Sequence, residues 1–189
     1  MFAYVDEAYH LATRSYVIGA VIAAIGDLPL IRASALTEPL LPPAPKRGRF
    51  KWRDAKPHRR RAFLQATVAN HNLNAFGIVK HQVDASQQEA AREACLGRLV
   101  AEGLGLGVTE FVLDRRNSPG KIYLDNRTFG RLVNAGSMPA AITYRFAYPS
   151  NEAMLLIADA VSGATYAAVG GEDQYVQIID TNLVRRAVT

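Results

Sequence analysis

The stretch Phe2-Ala3-Tyr4-Val5-Asp6-Glu7 decides how this chain is read. Four residues of strand-forming character end on two adjacent acids, and a more apolar run, Tyr16 to Ile25, follows after a short connection, Ala8 to Arg14. Two strands so close in sequence pair as an antiparallel hairpin. Two further acids stand in comparable settings: Asp114 closes the strand-like run Phe111-Val112-Leu113, and Asp159 lies inside an apolar helical stretch that begins near Asn151.

Working outward, Gly26 to Gly48 holds Pro29, Pro39, Pro42, Pro43 and Pro45 and shows no hydrophobic period, so residues 26–50 read as a long surface loop. Pro57 suits the first turn of a helix whose Ala62, Phe63, Ala66, Val68 and Ala69 form an apolar face up to about Asn70. Asn74 to Val83 reads as a third strand. Ser86 and Glu89 make a capping box for a helix in which Ala90, Ala94, Leu96, Leu99, Val100 and Leu104 recur at helical spacing, stopped by Gly103 to Gly107. A fourth strand over Thr109 to Asp114, a turn at Arg115 to Gly120, a weaker helix from Lys121 to Ala135 and a fifth strand over Ala141 to Ala147 follow. The last long helix ends near Val169 at Gly170-Gly171, and Tyr175 to Ile179 is either a short strand or a docked segment.

At 189 residues and 49% hydrophobic composition the chain is sized for one α/β domain over 1–189. Its element order is three antiparallel strands, then two strands that each lead into a helix. That is the order of a ribonuclease H-like mixed five-stranded sheet flanked by helices, here with the Pro-rich loop and a basic helix inserted between strands two and three. In such a sheet Asp6, Asp114 and Asp159 converge at one edge.

Three carboxylates from separate elements are a hard, all-oxygen donor set, which suits Mg²⁺ or Mn²⁺. Divalent ions so held activate water and stabilise the leaving oxygen of a phosphodiester. Asp6, between strands one and four, would be shared, with Asp114 and Asp159 as the other ligands. Glu93 is the fourth catalytic candidate, because it lies over Leu96 and Val100 on its helix; Glu89 is better explained as the capping partner. Glu7 alternates to the opposite face from Asp6, and His10 is a possible proton shuttle; with Glu89 these are secondary candidates.

The formal net charge of +5 arises locally. Nine of the 22 Lys and Arg residues fall between Lys46 and Arg61 against one acid, Asp54, leaving 13 basic and 16 acidic residues elsewhere. Arg47, Arg49, Lys51, Arg53, Lys56, Arg59 and Arg60, with Trp52 among them for base stacking, are therefore candidate DNA or RNA contacts. A lone cysteine, Cys95, excludes an internal disulfide. The longest apolar run is too short to span a bilayer and the first residues are acidic, so a cytoplasmic location is expected. A homo-oligomer would use the edge of the second strand or the last helix.

The motifs Tyr4-Val5-Asp6-Glu7-Ala8-Tyr9, Val112-Leu113-Asp114 and Ala158-Asp159-Ala160-Val161 resemble those of a bacterial ribonuclease H-like family of unknown function whose members open with a Tyr-x-Asp-Glu-Ser-Gly strand. Here Ala8-Tyr9 replaces Ser-Gly, and Arg49 stands where many relatives carry an acid two before a lysine. The resemblance implies the fold and a divalent-metal-dependent nuclease. The alternative is a non-catalytic nucleic-acid-binding or protein-interaction protein that retains the fold.

Overall fold

Strands β1 (Phe2–His10) and β2 (Ser15–Ala23) pair antiparallel along their whole length, with Phe2 opposite Ala23 and His10 opposite Ser15. The computed structural model describes residues 1–10, 12–37, 50–180 and 183–188. β3 (Asn74–Lys80) adds antiparallel to β2, and β4 (Glu110–Asp114) and β5 (Thr143–Ala147) add in turn beyond β1, each parallel to its neighbour. The sheet has six strands where five were expected, in the order β5-β4-β1-β2-β3-β6. The extra strand, β6 (Leu183–Val188), runs parallel to β3. Exposed Arg185 and Arg186 interrupt its apolar positions, as suits an edge strand, and that weakens its alternation in the sequence.

Two helical layers cover the sheet. On one face lie α1 (Leu28–Thr37), α2 (Pro57–Leu64, continued by a wider turn over Gln65–Ala69), α5 (Met154–Val169) and the short α6 (Val176–Ile179). α3 (Gln88–Gly105) and α4 (Pro119–Asn134) cover the other. α5 is the central element: its only charged residue is Asp159, and Met154 to Ala158 are all buried. Each such aliphatic side chain taken from water contributes about 1.5–3 kcal/mol.

Several expectations are corrected. Residues 28–37 form a helix rather than loop: Pro29 falls in its first turn, where no N–H is needed, and Leu28, Ile31 and Ala35 are buried at helical spacing. Residues 38–49 lie outside the described part. Arg32 ties α1 to the core, donating to Glu152 at 2.9 and 2.7 Å and to the Tyr4 hydroxyl at 3.2 Å. The capping box before α3 is Asp84 with Gln87, not Ser86 with Glu89. Of the two readings of Tyr175 to Ile179, the structure has the docked segment: α6, with Tyr175, Val176 and Ile179 buried. β2 lies between β1 and β3 with every residue buried, so it offers no edge to a second copy, and α5 is buried through most of its length. Among the described residues no helix is long and apolar enough to cross a membrane.

Candidate active site

Alternation along β1 sends Tyr4 and Asp6 toward α5, and Ala3, Val5 and Glu7 toward α3 and α4. The parallel register sets Tyr4 beside Val112 and Val5 beside Leu113, so Asp6 and Asp114 follow as the next neighbours on the same face. Gly19 stands opposite Asp6 on β2. α5 crosses so closely there that a methyl group on Gly19 would overlap the Ser162 backbone. This contact, one turn beyond Asp159, brings the third carboxylate against Asp6. A second glycine, Gly163, receives the Trp52 indole, which a methyl group would also overlap. Trp52 is thereby fixed, and its backbone N–H donates to Asp159 Oδ2 at 2.8 Å.

A cavity of about 770 Å³ opens over the three acids, with Lys51, Arg53, Arg115 and Tyr148 also on its wall. A smaller cleft of about 280 Å³ shares Asp6, Glu7 and Asp114 and leads toward Arg92, Arg116 and Lys121. Burial, reinforced by the charges of Asp159 and Asp114, holds the Asp6 carboxyl well above the usual carboxylate range. Burial also raises Asp159, opposed by the Trp52 N–H and the Lys51 charge. Asp114 is pushed up to about 6, by burial first and by the Asp159 charge, against the Arg115 N–H.

The surrounding acids are in a different state. Arg92, itself buried, pairs with Glu7 and, at 2.7 Å, with Asp125. Tyr16 donates to Glu7 as well. Arg116 holds Glu89 at 2.7 and 2.5 Å. Asp6, Asp114 and Asp159 are in no ion pair among the described residues; Arg145, a possible partner for Asp159, binds Glu110 at 2.6 Å instead. Glu93 does not line either cavity. It points outward to Arg131, and its neighbour Arg92 occupies the buried face of α3. Glu7 does reach the cavity wall, held by its arginines.

The basic segment divides. Lys51 and Arg53 face the cavity and Lys56 is exposed. Trp52 is 7% exposed and packs edge-on against Tyr175, so it is not open to stack on a base. Arg60 lies over the Trp52 ring at 4.8 Å and donates to the Trp52 carbonyl, and Arg59 has a buried Nε without a partner. Lys46, Arg47 and Arg49 lie outside the described residues, as does the His10 side chain. His71 and His81 bond Ser34 and Ser15 away from the acids. Cys95 is buried, and burial pushes its thiol up to about 12.

Sequence reasoning missed Lys51 as a neighbour of the acids, the Arg115–Tyr148 pair, and the two glycines that let α5 approach. The glycines did carry a signal, since one in the interior of a strand or helix often marks close backbone or side-chain approach. Compared with protein-family models, curated proteins and solved structures, the chain has no significant match.

The chemistry of the donors fits a hard divalent cation: they are all carboxylate oxygens, mutually repelling and, among the described residues, without a protein cation bonded to them. Among the described residues no three His, Cys, Asp or Glu groups are placed to hold one ion jointly. Mg²⁺ commonly takes one or two carboxylates and completes its shell with water and substrate phosphate, so the Asp6–Asp159 pair with Asp114 nearby remains a compatible seat.

Proposed function

We propose that the protein is a nuclease of ribonuclease H-like architecture that hydrolyses phosphodiester bonds with Mg²⁺ or Mn²⁺ at Asp6, Asp114 and Asp159. One observation carries this reading: three carboxylates from β1, β4 and α5 share a cavity, repel one another and lack ion-pair partners among the described residues, while the neighbouring Glu7, Glu89 and Asp125 are neutralised by arginines. The antiparallel β1-β2-β3 arrangement continued by parallel β4 and β5 supports the architecture.

When bound, the ion supplies charge to activate water and to stabilise the leaving oxygen. The chain supplies the rest. Asp6 and Asp159 would hold the ion as carboxylates, and the Trp52 N–H orients Asp159. Lys51 and Arg115 stand on the cavity wall as cations available to a phosphate. Asp114, at the cavity rim, would be the further oxygen donor to the ion.

A second reading has its own observation: burial raises both Asp6 and Asp159, and carboxyls that keep their protons need no metal. That state would suit a non-catalytic nucleic-acid-binding protein. Calorimetric titration of Mn²⁺ into the parent and Asp6→Asn, followed by incubation with labelled single-stranded, duplex and hybrid nucleic acids, separates the two. The nuclease reading expects metal binding and cleavage in the parent, with cleavage reduced by orders of magnitude in the variant. Absence of both in the parent would remove it.

A further inference from the structure

Arg115 follows Asp114 at the cavity rim, and its guanidinium lies 5.6 Å from the centre of the Tyr148 ring. The backbone holds this pair in place. The Arg115 N–H donates to the Ala147 carbonyl at 2.8 Å, and the Tyr148 carbonyl accepts from Asn151 and Glu152 at 2.8 and 3.0 Å. Nearby arginines are committed to carboxylates: Arg92 to Glu7 and Asp125, Arg116 to Glu89. Arg115 is in no ion pair among the described residues. Tyr148 is 46% exposed on the same wall as the three acids. An aromatic ring left half-exposed at a charged cavity adds little to the core, whereas a guanidinium beside it keeps the ring ordered.

We propose that Tyr148, supported by Arg115, is a stacking platform for an unpaired nucleobase, and that the site therefore takes single-stranded nucleic acid. This rests on the reading of the cavity as a nucleic-acid site. A ring face recognises the face of a base, which a duplex hides within its own stack. Arg115 adds a positive charge for the adjoining phosphate, and its chain neighbour Asp114 places that phosphate near the carboxylates. A cavity of about 770 Å³ has the size of a small-ligand pocket, enough for nucleotides of one strand. Trp52, buried on Gly163, and the buried Phe50 cannot take this role; Tyr9 and Tyr166 on the same wall are half-buried, and Tyr148 is the exposed ring among these five.

The test is fluorescence anisotropy with the full chain in EDTA, so that binding is read without cleavage. The probes are a labelled single strand, its duplex, and a strand of equal length with every base removed; a mononucleotide serves as competitor. The intact single strand is expected to bind more tightly than the duplex or the abasic strand. Tyr148→Leu should weaken the intact strand by roughly tenfold to a hundredfold while changing abasic-strand affinity little, and Tyr148→Trp should restore the ring-dependent affinity. Unchanged thermal unfolding of the variants keeps the comparison on binding.

Equal losses on intact and abasic strands, or duplex affinity matching the single strand, would overturn the platform. A mononucleotide displacing the strand at comparable concentration would overturn the strand assignment in favour of a nucleotide pocket. No binding to any probe would remove the nucleic-acid reading together with the platform. Tyr148-dependent strand binding without Mn²⁺-supported cleavage would leave the platform standing and remove only the nuclease.

Discussion

Asp6 concentrates the electrostatic tension of the cavity. Its carboxyl is buried beside Asp159 and Asp114, and among the described residues no guanidinium is bonded to it. Asp6→Asn should therefore abolish cleavage yet stabilise the metal-free protein at pH 7.5, on the order of 1 kcal/mol, because an amide is neutral without having to bind a proton and keeps a hydrogen-bond donor. Urea unfolding of both proteins in EDTA reads this directly; a less stable variant would mean that the paired carboxyls are a net attraction. Arg32 shows the opposite case. Arg32→Ala leaves buried Glu152 with Arg145, at 3.6 Å, and the Met154 N–H, at 3.3 Å, and should cost about 2–4 kcal/mol in the same assay. A loss below about 0.5 kcal/mol, ordinary for a surface pair, would contradict its role in anchoring α1.

The elements explain how such a costly cluster is assembled. α5 reaches β2 because Gly19 removes a side chain from the contact, and it admits Trp52 because Gly163 does the same. Gly19→Ala should displace α5 from Asp6, with a stability loss of about 1–3 kcal/mol and weaker Mn²⁺ binding in calorimetry. Unaltered metal affinity in a folded variant would show that the Asp6–Asp159 approach does not depend on this contact. The helix at α1 shows what pattern reading overlooked. The prolines of residues 26–50 dominate that segment, but Leu28, Ile31 and Ala35 carry a helical period that Pro29 does not interrupt from its first-turn position. Glu93 was a plausible ligand by spacing along α3, yet a rotation of one residue gives the buried position to Arg92 and sends Glu93 to Arg131.

Across the whole molecule, two classes of acid respond to pH with opposite sign. Glu89 and Glu102 are lowered by arginines, so their contribution is present at neutral pH and lost as pH falls through their depressed values. The cavity acids are raised, so the folded state holds more protons than the unfolded chain and stability is lost as pH rises through the folded values. For Asp114 the window runs from its ordinary 3.8 to about 6. Asp114→Asn should accordingly match the parent near pH 4 in EDTA and become the more stable of the two by pH 7.5. Thermal unfolding across that range checks it, and a gap that closes instead of opening would place Asp114 outside the repelling cluster.

The sequence by itself determined the α/β class, the antiparallel hairpin, the strands flanking the acids and the identity of three carboxylates worth following, because alternation and helical spacing are local and survive in one dimension. Only the tertiary structure decided which charges are neutralised and which are left to one another, that Trp52 is buried while Tyr148 is open, and that β6 joins the sheet. Those facts depend on contacts between residues far apart in the chain, such as Gly19 with Ser162 and Trp52 with Asp159, and no local period encodes them.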